Sequence, residues 1–313
     1  MNTVLPWLDA ADVTRLLSPA DAIAILESAL VAGLDPASDP ARTAVGLTHG
    51  QLLLMPSQGG DRVGVKVASV APANPARGRP RIQAIYLLMD AETLSPLALL
   101  DGTAVTSLRT PALSAVAARH LARPDASRVV VFGTGPQAWG HLEALRAVRP
   151  LTDVVVVARD PDRALAFARR VEGTGVQAAP GDRGAVGDAD VVVCATTARE
   201  PVFDGRLVRS GACVIAVGSH EPDARELDDD LMARAFVVVE DRTTALREAG
   251  DVVLAVETGR LDPDDLVDLG AVVTGAVSPD PDRPRVFKSV GMAWEDLVVS
   301  AEVHRRHLAA GHR

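Results

Sequence analysis

The chain has 313 residues, 48% hydrophobic and 23% charged, the balance of an ordinary globular protein with room for a large core and two domains. Its 32 Lys+Arg against 41 Asp+Glu give a net charge of -9, which argues against nucleic acid and acidic membranes as main partners. Its two cysteines, Cys194 and Cys213, each fall inside a predicted strand and suggest a reducing compartment, not a disulfide framework. There is no signal-peptide pattern and no apolar run of about 18 residues, so a cytoplasmic protein is expected.

In chain order, Ser18-Pro19-Ala20-Asp21 opens a helix, with Ser18 as N-cap, Pro19 at the first helical position and an acid in the first turn. Strand-like segments follow at Gln51 to Met55, Val63 to Val70, Ile82 to Met89 and Leu94 to Leu100. The last two flank the turn-like Asp90-Ala91-Glu92-Thr93 and read as a hairpin. Strands in a run without helices imply an antiparallel or mixed sheet. The segment Ala73 to Arg81, with Pro75 and Pro80, reads as an exposed loop. An alanine-rich helix lies between Thr106 and Leu121, and Thr110-Pro111 inside it implies a start there, or a kink if the helix begins at Thr106.

The region from Arg128 to Asp160 organises the rest. A β-branched run, Val129 to Phe132, enters Gly133-Thr134-Gly135; a helical pattern follows, and a second run, Val154 to Val157, ends at Ala158-Arg159-Asp160. Strand, glycine turn, helix and strand make the unit that binds a dinucleotide. Gly133 permits the tight turn, Gly135 lets backbone amides approach a pyrophosphate, and Ala138 takes the third small position. The helix N-terminus offers donors and the positive end of its dipole. Further helices at Pro161 to Val171 and Glu226 to Ala235 alternate with strands at Val176 to Ala178, Ala189 to Cys194, Cys213 to Val217 and Phe236 to Val239. That alternation implies a doubly wound parallel sheet. Strand-like Arg285 to Ser289 and a final helix from about Met292 to Leu308 complete the chain, and the helix is expected to pack on the N-terminal domain. The expected division is residues 1–125 with 292–313, and residues 126–291.

Four side chains are candidates for chemistry. Arg159, at the end of the second strand, suits the 2′-phosphate of NADP, where an acid would bind the ribose hydroxyl of NAD; NADP(H) is therefore favoured over NAD(H), with Asp160 next to it as a complication. Lys66 alternates onto the face opposite Val63, Val65 and Val67, beside Gly64 and Ala68, where it could bind a carboxylate or act as an acid. By sequence alone an ordinary solvent-facing lysine is the commoner outcome. Arg109 precedes Thr110-Pro111; an arginine at a helix start opposes the dipole unless an anion is shared there, and an exposed turn arginine is the equal alternative. His220, in Gly218-Ser219-His220-Glu221-Pro222 after a buried strand, could donate a proton, or could be a loop histidine with a structural hydrogen bond. His304 and His307 read as a solvated helix face, and metal-ligand spacing is absent.

Together these stretches resemble the ornithine cyclodeaminase/mu-crystallin family. The matching pieces are Leu54-Met55-Pro56, Val65-Lys66, Thr106 to Thr110, Gly133-Thr134-Gly135-Pro136-Gln137-Ala138 with His141, Gly218-Ser219 through Pro222-Asp223 to Glu226-Leu227-Asp228, and Val286 to Gly291 with Glu295-Asp296. They occur in the family's order over about residues 40 to 300. The resemblance implies an α/β protein with a Rossmann domain and an α+β substrate and dimerisation domain, acting as a homodimer. It implies Arg42, Lys66 and Arg109 as the group that holds a substrate carboxylate. It implies cofactor contacts at Thr110, Gly133 to Ala138, Arg159, Ala195, Thr196, Thr197, Val217, Ser289 and Gly291.

The pattern departs from true ornithine cyclodeaminases. His220 stands where they carry the catalytic Asp, Arg159 lies where they carry an Asp for NAD, and Pro111 replaces a small residue. The segment Pro222 to Asp228 is more similar to the ketimine reductase-like members. The resemblance therefore implies an NAD(P)H-dependent reductase of a small carboxylate-bearing imine, or the reverse amino-acid dehydrogenation. Two alternatives stand beside it: an ammonia-releasing cyclodeaminase with bound NAD+, and a non-catalytic crystallin-like NADP(H)-binding protein.

Overall fold

A computed structural model describes residues 5–311. The chain runs β1 (Trp7–Leu8), α1 (Ala10–Leu16), α2 (Pro19–Val31), β2 (Thr43–Leu47), β3 (Gly50–Gly59), β4 (Arg62–Val70), β5 (Ile82–Asp90), β6 (Pro96–Asp101) and α3 (Gly102–Leu121). There follow β7 (Arg128–Phe132), α4 (Pro136–Arg146), β8 (Asp153–Val157), α5 (Pro161–Glu172), β9 (Gln177–Pro180), β10 (Val191–Cys194), β11 (Cys213–Ala216), α6 (Asp229–Arg234) and β12 (Phe236–Val239). The chain ends with α7 (Arg242–Glu248), α8 (Gly250–Glu257), β13 (Val267–Asp268), α9 (Leu269–Val273), β14 (Arg285–Lys288) and α10 (Ala293–Ala309). It divides into two compact units, residues 1–112 with 292–313 and residues 113–291, the division falling within α3.

In the first unit the described strands form a six-stranded sheet ordered β1-β6-β5-β4-β3-β2. It is mixed: β1 runs parallel to β6 and the other neighbours are antiparallel. The expected hairpin is β5–β6. Alternation fixes which side of the sheet each residue takes. One face presents Met55, Lys66, Ala68, Tyr86, Leu88 and Leu100, all buried, and α10 packs against β3, β4 and β5 and against α2. The other face carries Val45, Val67 and Ile85, which remain exposed. Ser18 and Asp21 form a reciprocal capping box at the start of α2, with Pro19 first in the helix.

The long helix α3 begins at Gly102, earlier than expected. Asp101, the last residue of β6, accepts the Thr103 and Ala104 amides through Oδ1, each at 2.9 Å, so strand passes to helix without a loop. Pro111 lies inside this helix and does not start it. Arg109 is accordingly an interior helical residue, and the expected shared anion at a helix end has no helix end to use.

The second unit has an all-parallel eight-stranded sheet, ordered β13-β12-β14-β11-β10-β7-β8-β9. Its central strands, VVVF within β7, VVVC in β10 and CVIA in β11, are buried throughout, as continuous β-branched runs are in a sheet covered on both faces. This is the doubly wound Rossmann architecture. The helix expected from Glu226 begins only at Asp229, because Asp228 is its N-cap, accepting the Leu231 amide. Cys194 and Cys213 are buried free thiols. No described helix is long and apolar enough to cross a membrane.

Candidate active site

In the first unit, three elements bring charged groups into the buried side of the sheet. Lys66, from the centre of β4, is only 3% exposed, which overturns the solvent-facing alternative. Its Nζ stands 2.7 Å from Asp296 Oδ2 and donates to Thr106 Oγ1 at 3.2 Å. Arg109, equally buried, donates from Nε to Asp296 Oδ1 at 3.0 Å and from an Nη to Glu295 Oε2 at 2.7 Å. Glu295 and Asp296 occupy the first turn of α10, where acids are favoured by the dipole. Glu295 also accepts the Met292 amide at 2.7 Å, so it caps the helix and holds Arg109 at once.

Two cations and two carboxylates with no solvent between them can hold one another's charge without a bound ion. Burial pulls Lys66 down to about 8, Asp296 opposing it and Arg109 assisting. Such a lysine can hold or release a proton near neutral pH. Asp39, half-buried before β2, is pushed up to about 6 by burial. Arg42 lies half-buried in the same segment. Tyr86 explains Gly64: a Cβ there would collide with the buried Tyr86 hydroxyl.

In the second unit, the glycine turn follows β7. Gly133 has φ +108, and an added Cβ would lie 2.5 Å from the Ala195 carbonyl oxygen, so only glycine fits. Gly135 differs: its missing side chain would meet open space. It is the N-cap residue of α4, with Pro136 at the first helical position, and no side chain caps the helix. The first-turn amides at Gln137 and Ala138 are therefore available to an anion. Gln137 Oε1 is buried without a hydrogen-bond partner, and Ala138 is fully buried at the close-packed position. These features fit a dinucleotide pyrophosphate. His141 is fully buried, its Nδ1 2.7 Å from the Gln137 carbonyl oxygen and its Nε2 2.9 Å from Ser114 Oγ. With a carbonyl at Nδ1, that nitrogen carries the proton and Nε2 accepts from Ser114. Burial holds the imidazole down at about 4.

Arg159 is exposed just past β8. Its neighbour Asp160 is occupied as the N-cap of α5, accepting the Asp162 and Arg163 amides. Thr196 and Thr197 lie in the loop after β10, Val217 and half-buried His220 in the loop after β11. The latter loop is tied down by Ser219 Oγ donating to the Ala224 carbonyl and by Arg199, which pairs with Glu221 at 2.6 Å and Asp223 at 2.5 Å. Ser289 does not leave its hydroxyl free: it donates to Glu240, which also accepts the Val290 and Gly291 amides.

Sequence reasoning misses the roles of Glu295, Asp296, Glu226, Glu240 and Asp251. Acids at a helix start or a loop look like ordinary surface acids, and only their burial, 3% exposure or less, sets them apart. His304, expected on a solvated face, is instead buried in α10 at 5% exposure.

Known proteins resemble the chain along most of its length. The chain is 37% identical over 283 residues to a Delta(1)-pyrroline-2-carboxylate reductase of Bacillus cereus, covering 87% of each chain. It is 37% identical over 269 residues to the ketimine reductase mu-crystallin of Rattus norvegicus, covering 85% of this chain and 84% of the relative. The solved structure of Thermococcus litoralis Delta(1)-pyrroline-2-carboxylate reductase, in complex with NADH and L-proline, superposes with a TM-score of 0.92 at 32% identity over 98% of both chains. The profile of the ornithine cyclodeaminase/mu-crystallin family matches residues 6–311, and the chain belongs to that family.

Proposed function

We infer that this protein is an NAD(P)H-dependent reductase of a small imine bearing an α-carboxylate, such as a cyclic ketimine or Δ1-pyrroline-2-carboxylate, and in reverse an amino-acid dehydrogenase. The observation that carries the reading is the buried Lys66–Arg109 pair converging on Asp296. A substrate carboxylate would take up part of the hydrogen bonding that Glu295 and Asp296 now receive, with Arg109 offering a fork of donors and Lys66 a point charge. Imine reduction also needs a proton on nitrogen, because an iminium accepts hydride far better than a neutral imine. Lys66, with its proton held near pH 8, is suited to supply it. His220 is the other candidate donor.

The second unit is the cofactor-binding domain in this reading, with the amides after Gly135 on the pyrophosphate and Thr110, Thr134, Ala195 to Thr197, Val217, Ser289 and Gly291 as neighbours. When bound, the reduced nicotinamide supplies the hydride. NADP(H) is favoured over NAD(H), because Arg159 is exposed and the adjacent Asp160 is committed to capping α5. The first unit is the substrate and dimerisation domain, Arg42 adding a third cation. Exposed Val45 (42%), Val67 (38%) and Ile85 (50%) on one sheet face support a homodimer that covers them.

The test is a panel of cyclic and linear imino acids with NADPH and with NADH, read by loss of reduced-nicotinamide absorbance. Stoichiometric oxidation with a carboxylate-bearing imine is expected. Ammonia release from a diamino acid without net cofactor turnover, or no oxidation with any imine, refutes the reading.

A further inference from the structure

Three buried carboxylates join the loops at the carboxyl ends of the central strands of the second unit. Glu226, fully buried, accepts the Thr196 amide at 2.8 Å and the Thr196 hydroxyl at 2.7 Å through Oε1, and the Gly218 amide at 2.7 Å through Oε2. It thus ties the loop after β10 to the loop after β11. Gly218 has no room for a side chain, since a Cβ would collide with the Thr196 carbonyl oxygen. Asp251 in turn holds Glu226, accepting the Glu226 and Leu227 amides through Oδ1. Lys288 closes the group, 2.9 Å from Asp251 Oδ2 and donating to the Ser219 carbonyl at 2.7 Å. Glu240 gathers Ser289, Val290 and Gly291 past β14 in the same manner.

The amides and hydroxyls held by these buried acids belong to the loops where a doubly wound sheet binds its ligand. The turn after β7 and the end of β8 lie on the pyrophosphate and adenosine side; β10 and β11 lie on the other side of β7. We propose that Glu226 is a positioning residue for the nicotinamide half of the cofactor, fixing the β10 and β11 loops as a preformed floor. The proposal rests on the cofactor reading above. Preorganised backbone at a binding site removes ordering cost at the moment of binding. Glu226 makes no contact with the reacting atoms in this role.

Glu226→Gln keeps the shape but sets an amide N–H against a backbone N–H at either Thr196 or Gly218. Binding of NAD(P)H is measured by fluorescence titration, and of ADP-ribose or its 2′-phosphate, which lack the nicotinamide, by competition. The dinucleotide Kd should rise about tenfold or more while the fragment changes less than about threefold. Equal weakening of both, as a general loss of structure would give, overturns the proposal, as does no change in either. Glu226→Asp, which keeps the charge but is too short to reach both loops, should show the same split at about three- to fivefold. It decides the matter if Glu226→Gln does not fold. A wild-type protein that binds neither ligand refutes the cofactor reading itself, and the proposal with it.

Discussion

Replacing Lys66 by methionine removes a charge from a place where water does not compensate. Lys66 is 3% exposed and Asp296 fully buried, with 2.7 Å between them. Breaking a buried ion pair by removing one partner costs about 3–5 kcal/mol. Asp296 keeps Arg109 at 3.0 Å, so the lower end applies, about 3 kcal/mol of stability. The catalytic loss is separate. A charge-assisted hydrogen bond to a substrate carboxylate contributes about 1.5–3 kcal/mol, equivalent to about 10- to 150-fold in kcat/KM. The assays are thermal unfolding and initial rates of NAD(P)H oxidation with Δ1-pyrroline-2-carboxylate. The double variant Lys66→Met/Asp296→Asn should recover stability, because the excess buried negative charge is gone, but not the rate. In the wild type, rates should fall as pH rises through about 8, where Lys66 loses its proton, and the methionine variant should lack that limb. A Lys66→Met rate within about twofold of wild type would refute the reasoning.

Three further outcomes are expected. Arg159→Ala should weaken NADPH about tenfold and NADH less than about threefold; equal weakening removes the 2′-phosphate assignment. His141, held down at about 4, stays neutral in the folded state while the unfolded chain takes up a proton below its ordinary pKa of about 6.5. Stability is therefore full above about pH 6.5 and declines as pH falls toward about 4, by about 3 kcal/mol over that window. Urea unfolding at pH 7 and pH 5 measures it, and His141→Gln should flatten the dependence. Ile85→Asp, on the exposed sheet face, should shift sedimentation toward monomer; an unchanged dimer would place the subunit interface elsewhere.

Much of the second unit is legible because a sheet buried on both faces writes itself as short β-branched runs, and its glycine turn has a chemical signature. The first sheet is legible through alternation at β3 to β5. β1, of two residues, and β2, whose five residues are all exposed, lack both signals. The start of α3 is hidden because Asp101 ends a strand and caps a helix together. α7 and α8, of seven and eight residues, are too brief for a helical period to stand out. For the candidate site, the residue types Lys66 and Arg109 are apparent, but their shared counter-charge Asp296, 187 residues beyond Arg109 along the chain, is not, since neither periodicity nor spacing encodes such a pairing.

The position of β14 has a consequence for how the chain is made. Within the eight-stranded sheet, β12 and β13 connect to β11 only through β14, which is the last of the strands to be synthesised. The six-stranded sheet likewise gains part of the cover of its Lys66 face from α10. Both units thus stay unfinished until the segment from residue 285 onward leaves the ribosome, and neither can reach its native core while the nascent chain is shorter. Domain-by-domain folding during synthesis, the usual safeguard for long chains, is thereby delayed to the last part of this sequence. Pulse-labelled nascent chains stalled before residue 285 should be protease-sensitive throughout.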